Sequence, residues 1–280
     1  MHPRTATSTL TLPGTPFVKW PGGKRWLTPF LLHLLQKRPI RSYFEPFLGG
    51  AALFFALRPD RAYLSDINAE LINAYVQVRD NHERVAAVLR TLPVTAEDFY
   101  KIRARRRRSP ILRAVDFLYL NRTAYGGVYR VNRSGMFNVP YGGGERTPRL
   151  LHETDLLFRA AAALQPATLD VCDFEASMRR AGDGDVIYCD PTYTVAHNNN
   201  GFIRYNERNF SWQDQRRLAE TARDVAKVGA TVVISNAHHA DLIALHRGAT
   251  CHLVTRRSLL AKQPCHRREV IECVFVYPPQ

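Results

Sequence analysis

The sequence predicts an α/β protein with a mostly parallel sheet and helices on both faces. Two observations support that class: the apolar, partly β-branched run 186–189 ends abruptly at Asp190-Pro191, and strand-like segments run into glycine turns that open helices. Continuous apolar strands are typical of a parallel sheet covered on both faces. Because ligands of such sheets collect at the carboxyl ends of the strands, we expect the chemistry of the protein at Asp190.

The chain is long enough for one large α/β domain that carries a smaller insertion. It has 280 residues and 45% hydrophobic content. Residues 1–12 lack the apolar core of a signal peptide, and no apolar run reaches the roughly 18 residues that span a bilayer. We therefore expect a soluble, intracellular protein. The five cysteines include no CxxC pair, which argues against a disulfide framework or a zinc site, so we expect no metal.

A formal net charge of +14 predicts a polyanionic partner, because such a surplus creates a positive potential over part of the surface. Much of the excess lies in residues 101–108, which include Arg105 and Arg106. This concentration favours nucleic acid over the alternative of a generally basic protein with no such role.

Changes in composition divide the chain into three parts. Residues 1–16 are rich in Thr, Pro and Ser and are expected to form a loose tail. Residues 17–93 and 150–280 have the alternating strand and helix patterns of one catalytic domain. Residues 94–149 are expected to leave the main sheet and return to it as a largely helical insertion.

Two glycine turns near the start of the chain are candidates for ligand binding. In the first, a short strand at 17–18 precedes Gly22, Gly23 and Lys24, whose backbone amides and ammonium can meet an anionic group such as a carboxylate at a helix N-terminus. Glycine turns before helices are common, so this signal is weak by itself.

The second turn is typical of a mononucleotide site. A strand runs into Gly49-Gly50, and the next strand ends at Asp66, an acid that can accept hydrogen bonds from both hydroxyls of a ribose. The glycine turn and the acid together predict a nucleoside-bearing cofactor. The alternative is a purely structural connection between strand and helix.

Two later strand ends carry groups suited to planar bases. Asp173 and Phe174 can hold an adenine ring by a hydrogen bond to its amino group and by stacking. The Asp190 carboxylate and the Pro191 carbonyl can each accept a hydrogen bond from an exocyclic amino group, while Tyr193 stacks on a base withdrawn from a helix. A structural Asp-Pro turn is the alternative for the second set.

Residues 121–132 interleave amide, guanidinium, aromatic and glycine groups. Such a segment can place arginine on guanine edges or phosphates and push tyrosine between bases. A solvated arginine-rich helix followed by an ordinary glycine loop is the alternative. The candidate DNA-binding residues are Arg105, Arg106, Asn121, Arg122, Tyr125, Arg130 and Asn132.

Six motifs occur in a fixed order along residues 17–277. They are Phe-x-Lys-Trp-x-Gly-Gly-Lys from Phe17, Phe-Glu-Pro-Phe-x-Gly-Gly from Phe44, Ser-Asp-x-Asn from Ser65, Asp-Phe at Asp173, Asp-Pro-x-Tyr at Asp190 and Ser-Asn at Ser235. Each motif alone is modest, whereas the ordered set is highly specific. The chain resembles the Dam-like adenine-N6 DNA methyltransferases.

The resemblance implies a Rossmann-like methyltransferase fold with S-adenosyl-methionine as cofactor. The residues at positions that contact or line the cofactor in that family are Trp20, Lys24, Phe44, Asp66, Asp173, Phe174 and Asp190. Asp173 would face the adenine of the cofactor. The resemblance also places residues 94–149 in a target-recognition region, with Tyr125 and Arg130 as DNA contacts.

The implied reaction is site-specific methyl transfer to N6 of an adenine flipped out of double-stranded DNA. The implied setting is the cytoplasm of a bacterium or of a phage-infected cell, with the protein acting on DNA as a monomer and a restriction enzyme at the same site as a further partner. The chain departs from the family at Thr192, where a second proline is usual, and at Gly126, where asparagine is frequent.

Four other functions are compatible with the same residues. A cytosine-N4, RNA or protein-amide methyltransferase can use the same acceptors, although the basic insertion favours nucleic acid. A DNA-binding homologue that has lost catalysis, with Thr192 as the lesion, belongs to a different functional class.

Overall fold

The computed structural model describes residues 15–36, 39–132, 135–143, 151, 154–194, 210–257 and 269–280. The predicted tail lies almost entirely outside these residues, as does the last part of the predicted insertion, 144–149. In the described ranges, no helix is both long and apolar enough to span a membrane.

One seven-stranded sheet forms the centre of the molecule. Its strands are β1 (Tyr43–Glu45), β2 (Ala62–Asp66), β3 (Ala167–Val171), β4 (Val186–Cys189), β5 (Thr231–Ala237), β6 (Thr250–Arg257) and β7 (Glu269–Tyr277). The spatial order is β3-β2-β1-β4-β5-β7-β6. Strands β1 to β5 run parallel, and β7 is antiparallel to both β5 and β6. The predicted α/β class is confirmed.

The strand order reverses between β1 and β4. From β1 the chain moves outward through β2 and β3, and it then returns to place β4 on the other side of β1. In open α/β sheets such a switch point opens a crevice at the carboxyl ends of the two strands. Asp190 follows β4 directly at that crevice.

Strand β4 is buried on both faces. Val186 and Tyr188 belong to one hydrophobic cluster, and Ile187 and Cys189 belong to the other. Side chains alternate between the two faces of a strand, so a four-residue strand that supplies both clusters must be apolar throughout.

Helices cover the sheet and build the insertion. Within the described residues they are α1 (Thr28–Leu35), α2 (Ala52–Leu57), α3 (Ala69–Arg90), α4 (Ala96–Ala104), α5 (Pro110–Thr123), α6 (Thr154–Leu164), α7 (Phe174–Met178), α8 (Trp212–Lys227) and α9 (Ala240–Leu245), with a 3-10 turn at Tyr125–Gly127. Asn68 caps α3, and Ser211 forms a capping box with Asp214 at α8.

The described part of the insertion packs directly on the catalytic domain. Phe99 of α4 and Leu118 of α5 are buried in the same cluster as Leu71 of α3. After α5 and the 3-10 turn, the described backbone of the insertion forms a narrow hairpin, in which Asn138 N donates to Arg130 O at 3.0 Å. The helical prediction therefore fits α4 and α5 but not this hairpin.

The predicted strand at 17–18 is wrong, because the backbone there pairs with α5 instead of the sheet. The Asn121 amide oxygen accepts from Lys19 N at 2.8 Å, and its nitrogen donates to Lys19 O at 2.7 Å. Arg122 donates to Phe17 O at 3.1 Å. The segment that leads to the first glycine turn is thus anchored on the insertion.

Glu45 ends β1 inside the core. It is 3% exposed, and the Tyr43 hydroxyl donates to Glu45 Oε2 at 2.8 Å. Burial raises the pKa of Glu45 to about 8, against the lowering effect of the Tyr43 hydrogen bond. The folded protein therefore favours the protonated form of this carboxyl around neutral pH.

We expect Glu45→Gln to flatten the pH dependence of stability. The pKa of Glu45 rises from an ordinary 4.5 to about 8 on folding, so its stabilising effect is complete below pH 4.5 and is lost as pH rises towards 8. The wild type should lose on the order of 4 kcal/mol across that window through this residue, at about 1.4 kcal/mol per pKa unit. Denaturant titrations between pH 5 and pH 8 measure the difference.

Glu83→Gln is the matched control, because it makes the same substitution at an exposed glutamate. Equal pH slopes for wild type and Glu45→Gln would contradict a buried, protonated Glu45.

Candidate active site

Asp190 lies at the predicted point, immediately after β4, with 20% of its side chain exposed. Lys24 Nζ lies 3.0 Å from Asp190 Oδ1, and Ser235 Oγ donates to the same oxygen at 2.8 Å. A carboxylate offers about four lone-pair sites, so Oδ2 can still accept a hydrogen bond from an amino group. Pro191 is buried and Thr192 is exposed, so the residue that departs from the family pattern faces outward.

The charge of Asp190 depends on its two donors. Burial raises the pKa of Asp190, while Lys24 and then Ser235 lower it. Tyr188 extends the network, since its hydroxyl lies 3.0 Å from Ser235 Oγ. The motif analysis included Ser235 but assigned no role to it; β5 brings its hydroxyl to the Asp190 carboxylate.

Lys24 occupies the centre of the site. Its side chain is 6% exposed, and Nζ donates to Gly22 O at 3.1 Å. The same ammonium lies 3.7 Å from Glu272 Oε2 and 4.7 Å from the centroid of the Tyr193 ring. Lys24 therefore joins the first glycine turn to Asp190; its contact with the cofactor stays a prediction.

Tyr193 is half-buried and anchored at its hydroxyl, which donates to Glu272 Oε2 at 2.5 Å. Glu272 is 1% exposed and stands on β7 opposite Ala237 of β5. Sequence reasoning missed Glu272. The available signal was an acid within an otherwise apolar stretch of a predicted strand.

The second glycine turn is closed by Trp20. Gly49 has φ +45°, and a Cβ atom there would lie 2.8 Å from Trp20 Cδ1. Only glycine fits both the backbone conformation and this close approach. Trp20 also stacks on Tyr129 of the insertion, with centroids 5.5 Å apart and planes at 18°.

Asp66 lies beside the same turn, as predicted. Its carboxylate accepts from Gly49 N at 3.2 Å and from Asn68 N at 2.9 Å, while burial raises its pKa. Next to it, Ile67 is 74% exposed and Val171, the register partner of Asp66, is 50% exposed. These two apolar side chains, which sequence reasoning missed, are available to cover a flat ring.

The prediction that Phe44 lines the cofactor pocket is wrong. Phe44 is 1% exposed and stacks on Tyr63 at 4.6 Å, because all three side chains of β1 are buried. Phe47, three residues later in the turn, keeps accessible surface and stacks on Phe174 at 5.3 Å. Phe174 is 6% exposed, so it can offer little ring surface in this arrangement.

Asp173 caps α7 rather than standing open at a strand end. Its Oδ1 accepts from Glu175 N at 3.0 Å and from Arg217 Nη2 at 2.8 Å. Arg217 also lies over the Phe174 ring, 4.8 Å from its centroid. Contact of Asp173 with an adenine stays a prediction.

The structure separates the candidate DNA-binding residues into interior and surface groups. Asn121 is fully buried and holds the Lys19 backbone, so its prediction as a DNA contact is wrong for this arrangement. Arg122 is half-buried and tied to Phe17 O. Tyr125 is 66% exposed, on the 3-10 turn that follows α5.

The remaining candidates make local contacts near the surface. Arg105 lies 3.6 Å from Asp116, and Arg106 donates to the carbonyl of Arg105 at 2.8 Å. In the hairpin, Arg130 donates to Asn138 Oδ1 at 2.8 Å, and Asn132 Oδ1 accepts from Met136 N at 2.9 Å. DNA contact by these four residues stays a prediction.

In the described part of the chain, no cluster of three His, Cys, Asp or Glu residues could hold a metal ion.

Comparison with known proteins identifies the family. Residues 20–257 match the sequence model of the D12 class N6 adenine-specific DNA methyltransferases. The DNA adenine methylase of Escherichia coli K12 is 34% identical over 269 residues, which is 94% of this chain and 95% of that protein.

Two relatives carry the name Type II methyltransferase. M1.LlaDCHI of Lactococcus lactis subsp. cremoris is 32% identical over 269 residues, covering 92% of this chain and 94% of that protein. M.MjaIII of Methanocaldococcus jannaschii is 30% identical over 268 residues, covering 88% of this chain and 92% of that protein. With the family match spanning most of its length, this chain belongs to the D12 class of N6 adenine-specific DNA methyltransferases.

Proposed function

We propose that Asp190, Pro191 and Tyr193 bind the target adenine, flipped out of double-stranded DNA, and that S-adenosyl-methionine is the methyl donor. The observation that carries this proposal is the Asp190 carboxylate, held by Lys24 and Ser235 through one oxygen at the switch point of the sheet. The family match favours adenine N6 over the cytosine-N4 and RNA alternatives.

The cofactor side of the site fits a nucleoside. Asp66 presents a carboxylate beside the Gly49 turn, and the exposed Ile67 and Val171 provide apolar surface for the adenine ring. When bound, S-adenosyl-methionine supplies an electrophilic methyl group on a positively charged sulfur. Trp20 packs against the turn from the other direction and ties this pocket to the insertion.

The acceptors increase the reactivity of the amino group. An aromatic amine is a poor nucleophile because its lone pair is delocalised into the ring. Hydrogen bonds from the amino group to Asp190 Oδ2 and Pro191 O favour a tetrahedral nitrogen and stabilise the positive charge that develops there. Stacking on Tyr193 holds the flipped base. Alignment of the adenine N6 nitrogen with the methyl carbon lowers the barrier further. The reaction needs no covalent enzyme intermediate.

The insertion is proposed as the DNA-recognition region. Tyr125 is exposed next to α5, and a net charge of +14 favours a duplex as partner. We propose that the protein acts on DNA as a monomer in the cytoplasm of a bacterium or phage-infected cell. Relatives named Type II methyltransferase support a restriction enzyme at the same site as a further partner.

We expect Asp190→Ala to lower methyl transfer by at least about 100-fold, because both the acceptor and its charge are lost. The assay is transfer of labelled methyl groups from S-adenosyl-methionine to DNA from a strain that lacks adenine methylation. Asp170→Ala, which removes an acid from β3 that pairs with Arg180, is the control and should stay active. Full activity of folded Asp190→Ala would contradict the assignment.

The pH profile should report the charge of Asp190. Only the ionised carboxylate is a strong acceptor, so activity falls as pH drops through its pKa, which burial raises above 3.8. Ser235→Ala removes a hydrogen bond that lowers this pKa, and it should move the acidic limb of kcat/KM to higher pH. Ser177→Ala, which removes an equally buried hydroxyl bonded to Ser65, is the control. If the acidic limbs of wild type and Ser235→Ala coincide, the activity does not depend on the pKa of Asp190 in this way.

Neutralising Arg106 and Arg108 should weaken DNA binding and flatten its salt dependence. Removing one phosphate contact lowers the slope of log K against log salt by about 0.9, because fewer counterions are released on binding. The double variant Arg106→Gln/Arg108→Gln is compared with Lys227→Gln/Arg247→Gln, which removes the same charge near the amino ends of β5 and β6. Fluorescence anisotropy with labelled duplex gives both slopes; an identical reduction in the two variants would argue against a specific patch.

A further inference from the structure

Glu272 is a buried acid on a strand that otherwise contributes apolar side chains to the core. It is 1% exposed, and its neighbours Cys273 and Val274 are fully buried. Burying a carboxylate is costly unless partners offset the loss of water, whereas an apolar side chain at this position would carry no such cost. The presence of an acid here therefore requires an account beyond packing.

Two partners of Glu272 are themselves parts of the candidate active site. The Tyr193 hydroxyl donates to Glu272 Oε2 at 2.5 Å, and Lys24 Nζ lies 3.7 Å from the same oxygen. Burial and the nearby carboxylates of Asp190 and Glu272 raise the pKa of Tyr193, so its hydroxyl stays protonated and donates. Glu272 Oε2 thus restrains both the Tyr193 ring and the Lys24 ammonium.

The position of Glu272 explains how it can do this without reaching a substrate. Strand β7 pairs with β5 so that Glu272 stands opposite Ala237, two residues beyond Ser235. Ser235 holds Asp190 from the same strand. The edge formed by β5 and β7 therefore holds the Asp190 carboxylate with one side chain and the Tyr193 ring with another.

We propose that Glu272 is a positioning residue for base capture, which fixes the Tyr193 ring through its hydroxyl in the orientation that stacks on the flipped adenine. The inference rests on the proposed stacking role of Tyr193. Glu272 touches neither the base nor the methyl donor; it restricts rotation of the ring about the side-chain bonds of Tyr193.

The test uses four full-length variants: Glu272→Gln, Tyr193→Phe, the double variant combining them, and Tyr193→Ala. Glu272→Gln keeps the shape of the side chain and removes its charge, while Tyr193→Phe keeps the ring and removes the hydroxyl. Base capture is measured on a duplex with the site found by modified-base sequencing and with 2-aminopurine at the target position, and kcat/KM is measured on the same duplex with adenine there. The fluorescence of 2-aminopurine rises when the base leaves the stack, so base capture is measured separately from methyl transfer.

We expect Glu272→Gln and Tyr193→Phe each to reduce the fluorescence rise and to lower kcat/KM by about tenfold, the scale of one charge-assisted hydrogen bond. The double variant should be no worse than the more impaired single variant, because Glu272→Gln weakens and Tyr193→Phe removes the same hydrogen bond. The dissociation constant of S-adenosyl-methionine should be unchanged in Tyr193→Phe.

Several outcomes would overturn the inference. Wild-type base capture in Tyr193→Phe, which removes the hydrogen bond outright, would do so, as would a double variant whose losses multiply. If Glu272→Gln fails to fold, Tyr193→Phe alone still decides, since it removes the same hydrogen bond from the other side. Unimpaired capture by Tyr193→Ala would instead show that the stacking role is wrong, which is a failure of the proposed function.

Discussion

The ammonium of Lys24 lies between two carboxylates, 3.0 Å from Asp190 Oδ1 and 3.7 Å from Oε2 of the buried Glu272. Burial raises the pKa of Asp190 and the ammonium of Lys24 lowers it, and a protonated Asp190 would be a poor acceptor. The three groups come from the first glycine turn, the end of β4 and the middle of β7. Their electrostatic balance therefore exists only when the sheet is complete and the turn is docked on it.

Docking of that turn depends on the insertion. Lys19 is held at both its backbone N and O by the buried Asn121 amide, and Trp20 lies between the Gly49 turn and the Tyr129 ring. The segment that carries Lys24 is thus positioned by α5 and the hairpin rather than by a strand ladder. A displacement of the hairpin would be transmitted to Trp20, and so to the glycine turn, through direct packing.

Local physical rules were sufficient where a residue's role follows from its immediate neighbours in the chain. The apolar run of β4 predicted a strand, and the proline after Asp190 predicted where it ends. The caps Asn68 and Ser211 likewise act locally, since each accepts from backbone N–H groups two or three residues further along the chain. The assignment of Phe44 to the cofactor pocket came from the family resemblance, and the structure instead buries that ring against Tyr63.

The sequence by itself determined the α/β class, the acids that end β2 and follow β4 and, through the ordered motifs, the family. Only the tertiary structure decided which side chains meet those acids. Asn121 is an interior clamp rather than a DNA contact, and Ser235 and Glu272 complete the site around Asp190 and Tyr193. The reason is physical: burial and hydrogen-bond partners depend on contacts between segments far apart in the chain, and local periodicity does not encode them.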